Sequence, residues 1–156
     1  MMFLVAIAIA LASAPGPWTT PFGSQGAWGV AVSRDFAART PRGWHTGIDL
    51  VTPCGTPLVA VAAGEVVALG RDSLTLRHGE IYSRYDHLSL VEVRRGSVAR
   101  GQRIGLSGRH GDADGCHLHL ALRLGLAPEV GYTGEHPLEL GYLSPASVLG
   151  IALPHR

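Results

Sequence analysis

Hydrophobic residues recur along this chain in short runs set off by glycine, at positions 57–63, 65–69, 73–77, 81–88 and 102–106. Runs of this length between turn residues are the pattern of strands. Another segment alternates strictly: Cys116, Leu118, Leu120, Leu122 and Leu124 take every second place, with His117, His119, Ala121 and Arg123 between them. On extended backbone this makes one greasy face and one face carrying imidazoles. Beyond the first residues no stretch keeps a 3.6-residue period, and no repeat or low-complexity segment interrupts the pattern. The expectation is an all-β fold. Residues 109–115 are a polar, glycine-rich loop leading into the histidine strand.

The N-terminus has a different texture. An apolar run over residues 1–11 is followed by Ala12-Ser13-Ala14, a small-x-small cleavage pattern. The run is shorter than the ~20 residues that span a bilayer. We read residues 1–14 as a secretory signal peptide, although no Lys or Arg precedes the apolar stretch. Residues 15–156 then form a single domain, exported to the periplasm, cell envelope or medium, with no membrane contact in the mature form and a monomer as the expected state. The formal net charge of +1 gives no electrostatic case for a nucleic-acid partner. All thirteen basic residues are arginine, a bias that fits genomic base composition better than any function.

The chemistry lies in two segments. His45-Thr46-Gly47-Ile48-Asp49 places His45 and Asp49 an even number of residues apart, on one face if the backbone is extended throughout. Gly47, the β-branched Thr46 and Ile48, and the Thr52-Pro53 break disfavour a helical site. Cys116-His117-Leu118-His119 is the other half. Zinc favours imidazole nitrogen and carboxylate oxygen, and a catalytic zinc keeps three protein ligands and one open position. Two histidines and an aspartate meet that need.

Further motifs accompany these in order: Pro21-Phe22-Gly23, Cys54-Gly55-Thr56-Pro57-Leu58, Gly64-Glu65-Val66-Val67, Tyr82-Ser83-Arg84-Tyr85-Asp86-His87-Leu88 and Gly101-Gln102-Arg103-Ile104-Gly105. Together the set resembles the LytM/lysostaphin family of zinc metallopeptidases, which cleave peptide bonds in bacterial peptidoglycan. The resemblance runs from about Trp18 to Leu124. It implies antiparallel sheets in a flattened barrel or sandwich, with a loop-lined groove holding one zinc site. It makes His45, Asp49 and His119 the zinc ligands, and His87 and His117 the two non-ligand histidines that move protons beside the metal. The implied substrate is a peptidoglycan stem peptide or cross-bridge.

There are departures from the family pattern. Leu120 stands where an aromatic residue is usual, Ala121 where an acidic one is, and Gln25 where an arginine often follows the Phe-Gly pair. Residues 126–143 are longer than the expected tail and read as a flap or surface loop. An alternative reading, from a different class, is a non-catalytic envelope module that binds cell-wall peptide or activates another hydrolase. A sugar-transport or lipoyl-type β module is a weaker one.

Cys54 and Cys116 each flank half of the site. Alternation turns Cys116 away from the imidazole face, against a ligand role. Export would favour a Cys54–Cys116 disulfide over two separate buried thiols. His78 reads as structural, and His110, His136 and His155 as solvated. Trp18, Trp28 and Trp44 read as core residues first, with Trp44 placed to line the groove because it precedes His45.

Overall fold

The computed structural model describes residues 18–23, 31–111, 115–126 and 131–150. The leader, Gln25, Trp28 and His155 lie outside the described residues. The strands are β1 Val32–Arg34, β2 Arg39–Thr40, β3 Gly43–His45, β4 Ile48–Val51, β5 Pro57–Val59, β6 Gly64–Leu69, β7 Leu74–His78, β8 Ile81–Asp86, β9 Leu88–Val91, β10 Ser97–Val98, β11 Arg103–Ser107, β12 His117–Leu124, β13 Tyr132–Thr133 and β14 Tyr142–Leu143. Each glycine-bounded run becomes a strand, with shifted ends. The run 57–63 is extended only at its start, and the run 81–88 is broken at His87, whose φ of 68° lies in the left-handed region.

Among the described residues all strand pairs are antiparallel. The large sheet runs β1-β4-β12-β8-β7-β6-β10, with β14 extending the β4 side of β12; a second sheet is β5-β11-β9, and a third is β13-β3-β2. Among the described residues the sheets do not close on themselves, so of the two expected shapes the flattened sandwich is the one present.

Register explains how the large sheet acquires a core face and a chemical face. Ile48 faces Leu120, Leu120 faces Tyr85 and Tyr85 faces Leu74, a fully buried row across four strands. These side chains join Leu58, Ile104 and Val91 of the second sheet in one hydrophobic cluster. One residue along, the row is Arg34, Asp49, His119 and Asp86. Successive side chains on a strand point to opposite faces, so burying the first row commits the second to the other side.

Two helical pieces were not legible in the hydrophobic pattern. Pro137–Leu140 is a 3-10 turn capped by His136, and α1, Pro145–Leu149, is a single turn with Ser144 at its N-terminus and Gly150, φ 66°, at its end. A five-residue helix is too short to display a 3.6-residue period. Its caps were the available signal. Among the described residues no helix is long and apolar enough to cross a membrane.

Candidate metal centre

The segment from His45 to Asp49 is not one strand, contrary to the sequence expectation. His45 ends β3 in the third sheet, the chain turns at Thr46-Gly47, and Asp49 lies in β4 of the large sheet. Gly47 allows the turn because the chain passes tightly over β12: a Cβ at Gly47 would come 2.3 Å from the Leu120 carbonyl oxygen. The third sheet thereby brings His45 onto the chemical face, where Asp49 and His119 stand directly opposite each other.

His45, Asp49 and His119 are buried, each at most 4 % exposed. Their facing atoms form a small triangle. His45 Nε2 is 3.0 Å from His119 Nδ1 and 3.1 Å from Asp49 Oδ1, and His119 Nδ1 is 2.8 Å from that same oxygen. Burial would raise the Asp49 carboxyl, but the imidazoles of His119 and His45 beside it hold it well below the usual carboxylate range.

The proton inventory shows what the triangle is for. A carbonyl only accepts, so His45 donates its Nδ1–H to the Asp35 carbonyl at 2.9 Å and turns the lone pair of Nε2 toward the carboxylate. His119 can place one proton on Nδ1, but its Nε2, buried and without a hydrogen-bond partner among the described residues, would then be a bare lone pair. With that proton on Nε2 instead, three lone pairs converge. A cation among the three atoms resolves the conflict. Zinc bonds of about 2.0–2.2 Å at tetrahedral angles separate ligand atoms by about 3.3 Å, a few tenths wider than this triangle. The donor set fits zinc.

His117 and His87 lie beside the triangle, with ring centroids 4.7 Å apart. His117 Nδ1 donates to the Gly115 carbonyl at 3.0 Å, and its Nε2 points at Asp49, 3.7 Å from Oδ1. His87 Nδ1 donates to the His110 carbonyl at 2.7 Å. Both rings therefore keep Nε2 as the acceptor. Burial pushes the His117 imidazolium down from its ordinary range, Asp49 works against that, and His87 adds to it. The cleft over these groups has a volume of about 170 Å³.

Several of its lining residues were not singled out from the sequence: Arg34, Arg42, Tyr132, Asp72, and the pair Arg84 and Asp86. Arg34 reaches Asp49 Oδ2 at 3.4 Å and bonds the Tyr132 hydroxyl. Tyr132 comes from within residues 126–143, the segment that read as a flap or surface loop, and it pairs across β13 with His45. Nothing in a lone tyrosine between glycine and threonine marks it as a wall of the site. Arg84 and Asp86 did carry a signal, since they alternate with buried residues on the strand that leads to His87. Loop 109–115 contributes Gly111 to the lining and the His110 carbonyl to His87.

The remaining expectations divide. Cys54 and Cys116 are disulfide-bonded, with Cα atoms 5.2 Å apart, which removes the ligand and free-thiol readings. His136 is not simply solvated: it caps the 3-10 turn and packs edge-on against Trp44, ring centroids 4.8 Å apart. Trp44 also holds Arg39 over its ring and is not among the residues lining the cleft. His78 is structural. Trp18 packs against it and the core cluster.

Comparison with known proteins decides the family. The sequence profile described as peptidase family M23 matches residues 43–129. The chain belongs to peptidase family M23. Among M23-related proteins, the peptidoglycan DD-endopeptidase ShyA of Vibrio cholerae is 42 % identical over 85 residues, 50 % of this chain and 20 % of ShyA. The DD-carboxypeptidase/endopeptidase Mpg of Neisseria gonorrhoeae is 37 % identical over 90 residues, 54 % of this chain and 21 % of Mpg. This M23 chain thus aligns with about a fifth of the length of these relatives. The structure of lysostaphin from Staphylococcus simulans superposes with a TM-score of 0.66 at 23 % identity, over 78 % of this chain and 49 % of that one, a likeness of fold.

Proposed function

We propose that this M23 chain is a zinc metalloendopeptidase that hydrolyses peptide bonds in peptidoglycan stem peptides or cross-bridges. The observation that carries the reading is the buried triangle of two imidazole nitrogens and one carboxylate oxygen, with two further imidazoles beside it in one cleft. The relatives named for peptidoglycan DD-endopeptidase and carboxypeptidase activity supply the substrate class. His45 through Nε2, Asp49 through Oδ1 and His119 through Nδ1 would hold the metal. When bound, zinc supplies Lewis-acid polarisation of a peptide carbonyl and activation of water.

His117 and His87 move the protons. Each has its Nδ1–H engaged by a carbonyl, so proton transfer runs through Nε2. Each can accept a proton at Nε2 and, once protonated there, return it, so the pair supplies both the base that takes the water proton and the acid that protonates the leaving amine. Both sit on positioned backbone, His117 at the start of β12 and His87 in the turn after β8. Residues 1–14 are proposed as an export leader, which would deliver the domain to its polymer and to a compartment where Cys54–Cys116 stays oxidised. A non-catalytic binding module is not favoured, since it has no use for two proton-transfer imidazoles beside a metal triangle.

Muropeptide analysis of cell-wall digests, with and without a chelator, tests the proposal. Chelator-sensitive appearance of cleaved stem peptides or cross-bridges is expected, and the product masses name the bond. Digests unchanged by zinc-loaded protein would refute it.

A further inference from the structure

Among the described residues His87 is one of two non-glycine positions with a positive φ, at 68°. A residue with a Cβ holds that conformation only where its surroundings impose it. After His87, the Leu88 N–H donates to the Asp72 carbonyl at 2.9 Å, and the ring itself is tethered to the His110 carbonyl. Before it stands Asp86, the last residue of β8. Its carboxylate receives Arg84 Nε at 3.0 and 2.8 Å and Arg84 Nη2 at 2.6 Å. Two nitrogens on two oxygens fix a carboxylate in plane as well as in distance.

Arg84 and Asp86 are two residues apart on one face, so this fork is a splint along the end of the strand. Exposed ion pairs contribute little to stability. This one is different in place and in shielding: its side chains are only 13 % and 18 % exposed, and both line the cleft. Across to β12, Asp86 faces His119 and Arg84 faces Ala121. Ala121, buried at 5 % exposure, offers a guanidinium nothing to bond. The carboxylate that Arg84 uses comes from its own strand instead.

We propose that Arg84 and Asp86 are positioning residues for His87, stiffening the end of β8 so that the left-handed turn aims the His87 ring into the cleft. The inference rests on the reading of the chain as a peptidase in which His87 moves a proton. It also predicts an exchange. A carboxylate at position 121, directly across from Arg84, can take over the role of Asp86.

The test uses the full chain loaded with zinc. Asp86→Ala should keep one zinc per chain and lower kcat at least about tenfold with KM within about threefold, the signature of a misaimed group rather than lost binding. Adding Ala121→Glu should bring kcat back to within about threefold of the parent, a rescue that a generic stability role would not produce. A second readout needs no hydrolysis: the ring N–H resonance of His87, bonded to the His110 carbonyl, should be seen at low temperature in the parent, vanish in Asp86→Ala and return in the double variant. If the parent cleaves no peptide, the functional reading fails and the resonance still decides the positioning. Parent-like kcat and resonance in Asp86→Ala, or a double variant no better than the single one, overturns the proposal. Should Asp86→Ala not fold, Arg84→Lys, which keeps the charge but loses the planar fork, carries the same two readouts, and parent-like values there overturn it equally.

Discussion

At the scale of single residues, the proposal separates side chains assigned to hold a cation from side chains assigned to move protons. His45→Ala, Asp49→Ala and His119→Ala each leave two donors, and we expect each to lose stoichiometric zinc at low free metal. His87→Ala and His117→Ala should retain zinc, measured by elemental analysis, while hydrolysis drops roughly a hundredfold or more. Zinc loss in this second pair would show that ligand and proton carrier have been exchanged. His78 gives a prediction away from the metal. It donates Nδ1–H to the Ala63 carbonyl at 2.8 Å and meets Ser83 Oγ at 2.7 Å, and that oxygen lies 3.4 Å from the Tyr85 hydroxyl. Burial pushes the His78 imidazolium down, with the Ala63 carbonyl partly opposing, and pushes the Tyr85 hydroxyl up to about 12. The folded state therefore resists a proton on His78 that the unfolded chain accepts below its ordinary value near 6.5. Above that pH both states are neutral at this position and its contribution is flat, whereas stability falls as the pH drops below it. In metal-free protein, the decline of Tm from pH 7.5 to 5.5 should be shallower in His78→Gln, and an equal decline would assign the acid sensitivity elsewhere.

At the scale of elements, two contacts set the distance between the halves of the site. One is the passage of Gly47 over β12. Gly47→Ala puts a Cβ against the Leu120 carbonyl oxygen, so β3 and β4 must shift together. We expect a stability loss of about 1–3 kcal/mol, typical of overpacking, together with weaker zinc retention, because His45 moves relative to His119. Unfolding curves and chelator competition measure the two effects. The other is the Cys54–Cys116 disulfide, which ties the segment after β4 to the residue before β12 over a sequence separation of 62. On the chain-entropy model closing that loop contributes about 4 kcal/mol. Reduction should lower Tm by roughly 10 °C for a domain of this size. A parent-like Tm after complete reduction would show that the hydrogen bonds between Gly55, Thr56 and Ser107 already hold this corner.

At the scale of the whole molecule, a proposed leader precedes a domain whose sheets are arranged to expose one chemical face. N-terminal sequencing of exported protein should begin just after Ala14, and retention of residues 1–14 in processed material would argue for an anchor instead. How much of this was readable in advance follows from the range of the forces involved. Strand identity was legible because alternation is local: Leu118, Leu120 and Leu122 must go inward together, which sends His117 and His119 outward. The family was legible because its motifs are short and ordered. The extended reading of residues 45–49 failed because a two-residue turn, with Gly47 against β12, depends on a neighbour more than 70 residues away. Part of the cleft wall was invisible for the same reason. Arg34 and Tyr132 become site residues only through pairing across β1 and β13, whereas Arg84 and Asp86 were marked by alternation on the strand before His87. The sequence by itself therefore determined the glycine-bounded strands and β12, the two faces of the large sheet and the chemical types at the centre, all through nearest-neighbour alternation and motif spacing. Only the tertiary structure decided which atoms converge, since register, sheet order and the disulfide bring distant segments to within 3 Å of one another, and no local periodicity encodes that separation.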